Sequence, residues 1–151
     1  MTNRAIVFRE ATGADLPGIS RVRTSVVENL LTIDQLKERG ITNASVAASF
    51  LTDSKGWVAV QGDEVVAFSI ADRAAQSIFA LFVLPAYEGR GIGSVLLDSA
   101  LRWLWDNGAQ RVWLTTGPGT KAVRFYEKRG WACTGRGPLG DLRYECGRPS
   151  S

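Results

Sequence analysis

Apolar and polar positions along this chain follow two periods, and the switches between them mark out its elements. Ala5–Arg9 (AIVFR) is a short β-type run. Leu16, Ile19, Val22, Val26 and Leu30 then recur at three- and four-residue spacing, the apolar stripe of a helix. Asp15 is positioned to cap that helix, with Pro17 just inside it. Thr32 can cap a short helix over IDQLKERG that stops at Gly40, and Thr42 or Asn43 can open another through Leu51. The period then drops to two. WVAVQ, a tight Gly62-Asp63 turn and EVVAFSIADR read as an antiparallel hairpin, and Gln76–Leu84 follows as a third strand, apolar enough to be central.

A helical pattern resumes after a glycine cluster. From Gly91 it turns Val95, Leu96, Ala100, Leu101 and Leu104 inward and ends at Asn107-Gly108. Arg111–Thr116 is a further strand. Thr120 can cap the helix KAVRFYEKRG, and Trp131–Gly135 and Asp141–Cys146 read as a closing strand pair. Strands and helices in this order predict a single α/β domain (α+β in its segregation) over residues 1–151. Its sheet should be mixed and mostly antiparallel, with six or seven strands and about four flanking helices.

Composition narrows the function. With 45% hydrophobic and 22% charged residues the chain is expected to fold rather than stay disordered. A net charge of +3, dispersed along the sequence, argues against nucleic acid yet suits an anionic cofactor. No apolar stretch is long enough to span a bilayer, and the amino-terminal residues lack an apolar leader, so a cytoplasmic location is expected. Cys133 and Cys146 are then expected to be reduced thiols with packing roles. There is no histidine. Triads built on histidine and histidine-bearing zinc sites are excluded, no metal is expected, and any proton must move through carboxylates, tyrosine, lysine, cysteine or water.

The glycines lie in VLPAYEGRGIGSVLL, residues 83–97. Glycine is costly in ordered chain, so Gly89, Gly91 and Gly93 in five positions ask for a ligand approaching bare backbone at a helix N-terminus, where amides favour phosphate. A P-loop is ruled out because no lysine precedes Ser94. A dinucleotide fold is disfavoured because neither glycine frame completes G-x-G-x-x-G and antiparallel-type strands precede the turn.

Glu88-Gly89-Arg90-Gly91-Ile92-Gly93 resembles the [QR]-x-x-G-x-[GA] signature of the GNAT superfamily, the acyl-CoA-dependent N-acetyltransferases. Downstream, Ala122, Phe125, Tyr126, Gly130 and Trp131 match that superfamily's A-x-x-F-Y-x-x-x-G-F pattern. The resemblance implies a sheet with splayed central strands and acetyl-CoA held in the V between them. Main-chain groups near Phe82, Val83 and Leu84 would pair with the pantetheine arm. The segment Glu88, Gly89, Arg90, Gly91, Ile92 and Ser94, with Gly93, would hold the pyrophosphate, and Lys121 and Arg124 would lie near the adenosine. Tyr126 matches the tyrosine that protonates the leaving thiolate. The partners implied are acetyl-CoA and a small primary amine; a peptide amine, or acyl-CoA binding without catalysis, is the alternative, and a monomer or homodimer is expected.

Three departures from the pattern matter. Relatives of this type often carry a glutamate on the central strand, but QSIFALFV has no carboxylate. Glu28 becomes the first candidate for the base, because it lies off the apolar stripe near the helix C-terminus, where a carboxylate opposes the dipole. Asn29 beside it is a candidate acceptor-site residue, and Asp72 at a strand end is a further alternative for both roles. Glu88 stands where glutamine or arginine is usual, and its side chain is expected to turn away from the pyrophosphate. Gly117–Thr120 replaces a region where asparagine is common, with a Thr120 cap in its place. Trp57 or Trp113 could line the acceptor groove.

Overall fold

In the computed structural model, residues 5–25, 35, 38–137 and 140–149 are described. Strands β1 (Ile6–Glu10), β2 (Ser54–Gln61), β3 (Glu64–Asp72), β4 (Ser77–Val83), β5 (Arg111–Thr116), β6 (Ala132–Arg136) and β7 (Leu142–Gly147) form one sheet in the order β1-β2-β3-β4-β5-β7-β6. Among the described residues, four helices flank it: α1 (Leu16–Ser25), α2 (Asn43–Phe50), α3 (Ile92–Asp106) and α4 (Lys121–Lys128). The mixed, mostly antiparallel architecture expected from the sequence is present. None of these helices is long and apolar enough to cross a membrane. Val26 and Leu30 of the first stripe, and half of the helix expected after Thr32, fall outside the described residues.

The helices cover both faces of the sheet. Leu16, Ile19 and Val22 of α1 and Val46 of α2 pack on Val58, Phe68, Ile70 and Ala80 on one face. Leu96 and Ile92 of α3 cover Ala59, Val66 and Ala67 on the other, and further along α3 Leu97, Ala100 and Leu104 join Val112, Leu114 and Tyr126. Ser69, fully buried in β3, donates its hydroxyl proton to the Leu96 carbonyl at 3.1 Å and ties sheet to helix. Val95, expected inward, is 41% exposed. It lies one residue, about 100°, from the Ile92–Leu96–Ala100–Leu104 line, and that turn carries it past the sheet edge.

Strand boundaries differ informatively. β2 begins at Ser54 rather than Trp57, because β3 runs on to Asp72 and Ser54, Lys55 and Gly56 pair with it. A Cβ at Gly56 would come within 2.9 Å of the Phe50 ring, so the glycine in this strand marks the close approach of α2. Of the thiols, Cys146 packs beside the core, whereas Cys133 is exposed on the edge strand β6, contrary to the expected packing role. The register sets Cys133 opposite Tyr144, so the thiols are not directly paired.

Asp15 does not cap α1. It ends a short 3-10 turn, Gly13–Asp15, that opens at Thr12, and its carboxylate accepts the Thr12 backbone N–H at 2.8 Å. Arg9 holds both oxygens in a bidentate pair, 2.8 Å each. Sequence spacing alone suggested a cap, but the arginine on the neighbouring strand claims the carboxylate. That pairing holds the Asp15 carboxyl below its ordinary range. It therefore stabilises the fold above about pH 4 and is lost as pH falls through the lowered folded-state value. Asp15→Asn is expected to cost roughly 1–3 kcal/mol at neutral pH and much less in acid. Urea unfolding at the two pH values measures this, and an equal loss at both would assign the effect to packing.

Candidate active site

β4 and β5 are parallel neighbours that share one paired position, Ser77 with Trp113. Beyond it they part, and the gap opens into a cleft of about 930 Å³ walled by Ile78–Val83 on one side and Leu114–Thr116 on the other. Two bonds hold the closed end. The Trp113 backbone N–H donates to the Gln76 carbonyl at 3.2 Å, and its indole N–H donates to the Ala75 carbonyl at 2.9 Å. Gln76 adopts φ 56°, a left-handed conformation costing a non-glycine residue roughly 1–2 kcal/mol. Trp113 is thus an anchor at the apex, and it does not line the cleft. Trp57 packs edge-on against Trp103 at 6.0 Å and is likewise absent from the cleft wall.

The edge of β4 supplies backbone groups. Leu84, expected to offer its main chain to a ligand, instead donates its N–H to Val66 on β3 at 2.9 Å, and it is not on the cleft wall. Strand polar groups alternate in direction, so Leu84 and Phe82 face β3 while Val83 and Leu81 face the opening. Phe79 is skipped in the β3–β4 register, a bulge that leaves it between Ile78 and Ala80 without a partner.

At the mouth the chain turns through Pro85–Tyr87 into the glycine segment. Gly89 and Gly91 have φ 76° and 78°, which only glycine adopts freely. The first bond of α3 runs from the Val95 N–H to the Gly91 carbonyl, leaving the amides of Ile92, Gly93 and Ser94 without a helical acceptor. Glu88, Gly89, Ile92 and Gly93 lie on the wall; Arg90, Gly91 and Ser94 do not, and the Arg90 guanidinium rests over the Tyr87 ring. A Cβ at Gly93 would make only ordinary 3.7 Å contacts with Phe125 and Val83, so the protein itself does not demand glycine there. What a side chain would fill is space beside the unbonded amides.

Glu88 does not turn away. Its carboxylate accepts from the Lys121 ammonium at 3.0 Å, which neutralises it beside the amide cradle. Lys121, Arg124 and Lys128 present one face of α4 to the cleft and make this rim basic. Thr120 starts α4 without a side-chain cap, since its hydroxyl donates to the Gly117 carbonyl at 2.9 Å. Tyr126 is 5% exposed, with Phe125, Trp131 and Tyr144 around its ring. It reaches the cleft wall, and its hydroxyl makes no hydrogen bond among the described residues. Burial pushes its phenol well above the ordinary range, so at neutral pH it is a proton donor.

Asp72 lies at the closed end of the β3–β4 pair, opposite Ser77, where its carboxylate accepts the N–H groups of Ala74 and Ala75. The cleft does not include it. Glu28 and Asn29 fall outside the described residues. Wall residues that were not anticipated include Asp141, just before β7, and Arg23 and Arg39 on the α1 and α2 side. No motif marks them, and only the register of β7 on β5 and the packing of α1 on β4 bring them in.

A family model described as the acetyltransferase (GNAT) family matches residues 27–131. An uncharacterized N-acetyltransferase (ycf52-like) of Prochlorococcus marinus is 35% identical over 54% of this chain and 40% of its own length. The peptidyl-lysine N-acetyltransferase YjaB of Salmonella typhimurium is 36% identical over 64% of this chain and 63% of its own. The chain thus spans less than two thirds of either relative. The crystal structure of the PaiA N-acetyltransferase of Thermoplasma acidophilum, in complex with coenzyme A, superimposes with a TM-score of 0.81 at 16% identity, covering 95% of this chain and 99% of that one. That likeness is one of fold. For the glycine cradle the expected outcome is specific. Gly93→Asp should keep the fold, since a Cβ there meets only ordinary contacts, yet bind acetyl-CoA roughly tenfold or more weakly, because a carboxylate beside the unbonded amides repels phosphate. Calorimetry alongside thermal unfolding tests this, and an unchanged affinity would remove the cradle role.

Proposed function

The chain belongs to the GNAT acetyltransferase family, and on that premise we propose that it transfers the acetyl group of acetyl-CoA directly to a primary amine of a small molecule. The observation that carries this reading is the parting of β4 from β5 beyond their single paired position, with the glycine turn at its mouth and Tyr126 on its wall. Acetyl-CoA fits the chemistry of these residues. The amides of Ile92 and Gly93 and the basic face of α4 suit the pyrophosphate and the adenosine phosphate. The outward groups of Leu81 and Val83 suit the pantetheine amides, paired as an added strand would be. Arg90 and Leu84 contribute through the shape of the turn and the β3 pairing.

In the proposed reaction the neutral amine attacks the thioester carbonyl carbon, a C–N bond forms and the C–S bond breaks. The ammonium proton passes to a carboxylate or to water, and the thiolate sulfur gains a proton. Tyr126, held protonated by its buried surroundings, is the donor to sulfur and is reprotonated from solvent. Glu28 from the sequence and Asp141 from the cleft wall are the carboxylates proposed to take the proton, with Asn29 beside the acceptor. A peptide lysine is the second reading for the acceptor, favoured by the activity named for the Salmonella relative.

Free CoA release from acetyl-CoA across a panel of small amines and lysine peptides tests the proposal. Tyr126→Phe should lower kcat by roughly 10- to 100-fold with acetyl-CoA affinity retained. Turnover equal to the parent would refute the donor role, and tight acetyl-CoA binding with no turnover on any amine would replace the enzyme by a binding domain. The pH–rate profiles of Glu28→Gln and Asp141→Asn identify the base, because only loss of the true base removes the acid limb.

A further inference from the structure

The cleft passes through the sheet. One side carries the glycine turn, α4 and Tyr126; the other carries α1 and the segment before α2, which contribute Arg23 and Arg39. Arg23 is half-buried, and its guanidinium lies over two rings at once, 5.3 Å from Phe79 and 5.4 Å from Phe82. The bulge at Phe79 makes this possible, because it brings residues 79 and 82 to the α1 side together. An arginine stacked in this way keeps its in-plane N–H fork free for another partner. Most other arginines near carboxylates are paired: Arg9 with Asp15, Arg21 with Glu64, Arg73 with Asp53, Arg129 with Asp98. Among the described residues, no carboxylate pairs with Arg23 or Arg39.

A second cation beside a half-buried one is unfavourable unless an anion joins them. Burial and the neighbouring Arg39 both lower the Arg23 pKa, the signature of a charge held without compensation. The aromatic stack on Phe79 and Phe82 opposes its escape to solvent.

We propose that Arg23 and Arg39 form an oxyanion-binding subsite for the acceptor, so that the preferred substrate is a small primary amine that also carries a carboxylate or phosphate. The inference rests on the acetyl-transfer reading for the ligand's role as acceptor and for its kinetic test. Two guanidinium forks match either oxyanion, and the amine end of such a substrate extends from the α1 side toward β4 and β5, where the thioester lies when the opposite side holds acetyl-CoA.

Matched pairs of amines separate the possibilities: alanine against alaninamide for a carboxylate, and O-phosphoethanolamine against ethanolamine for a phosphate. The oxyanion member of at least one pair should show a kcat/KM roughly 10- to 100-fold higher than its neutral partner, and whichever pair responds names the anion. In the double variant Arg23→Gln, Arg39→Gln that ratio should fall to near one, with acetyl-CoA binding by calorimetry reporting that the variant is folded. Equilibrium binding of N-acetylalanine and N-acetylalaninamide, and of N-acetylated O-phosphoethanolamine and ethanolamine, to the CoA-loaded protein gives a second readout that needs no turnover. If no amine is acetylated but an anionic ligand binds in preference and the double variant loses that preference, the subsite stands and the transferase reading falls. Equal handling of charged and neutral members in both assays, or a preference that survives in the double variant, overturns the proposal.

Discussion

Two carbonyls and one tryptophan fix the geometry on which the site depends. The Trp113 backbone and indole N–H groups reach the Gln76 and Ala75 carbonyls at the turn leading into β4, and they pin β5 beside β4 at one end. A parallel pair bonded along its length would close the sheet and leave no room for a ligand. Pinned at one end only, the strands part, and β5 satisfies its other edge through six paired positions with β7. The left-handed Gln76 is the local strain that aims a carbonyl at Trp113. Exposed strand edges invite pairing, and this one lies inside the sheet, where an extended ligand could pair with it.

Every functional element is placed relative to that opening. α3 begins where β4 ends, so its unbonded amides face the mouth. α4 follows β5 across a short loop, which brings Tyr126 to the wall and sets Lys121 against Glu88. That ion pair is exposed enough to contribute little to stability. Its value is electrostatic, since it cancels a carboxylate that would otherwise repel an anionic ligand at the amide cradle. On the opposite side the aromatic pair Phe79 and Phe82 holds Arg23 in place. One side of the sheet thus carries unbonded amides and a basic rim, the other carries guanidinium groups, and the opening between β4 and β5 lies between them.

Much of this was legible in the sequence because it is local. Periodicity located the helices and strands, glycine spacing located the turn at α3, and the FYEKRGW run located Tyr126. Boundaries slipped where pairing with a neighbour extends a strand, as at Ser54, or where a residue sits just off a helical stripe, as at Val95. The failures were tertiary. Asp15 looked like a cap until Arg9 on the adjacent strand claimed it, Trp113 looked like a groove residue until its indole met Ala75, and Leu84 looked free until it bonded Val66. Arg23, Arg39 and Asp141 carried no signal at all, because charged residues of ordinary spacing gain meaning only when distant elements meet.

The central claim is that the parted edge of β4 and the start of α3 are one continuous acetyl-CoA site. Amide hydrogen exchange, resolved to single residues with and without acetyl-CoA, tests it most directly. The account predicts that Val83, Ile92 and Gly93 become protected together, while the Leu84 amide, already bonded to β3, changes little. Protection confined to other parts of the chain, or none at these three amides under saturating acetyl-CoA, would contradict it.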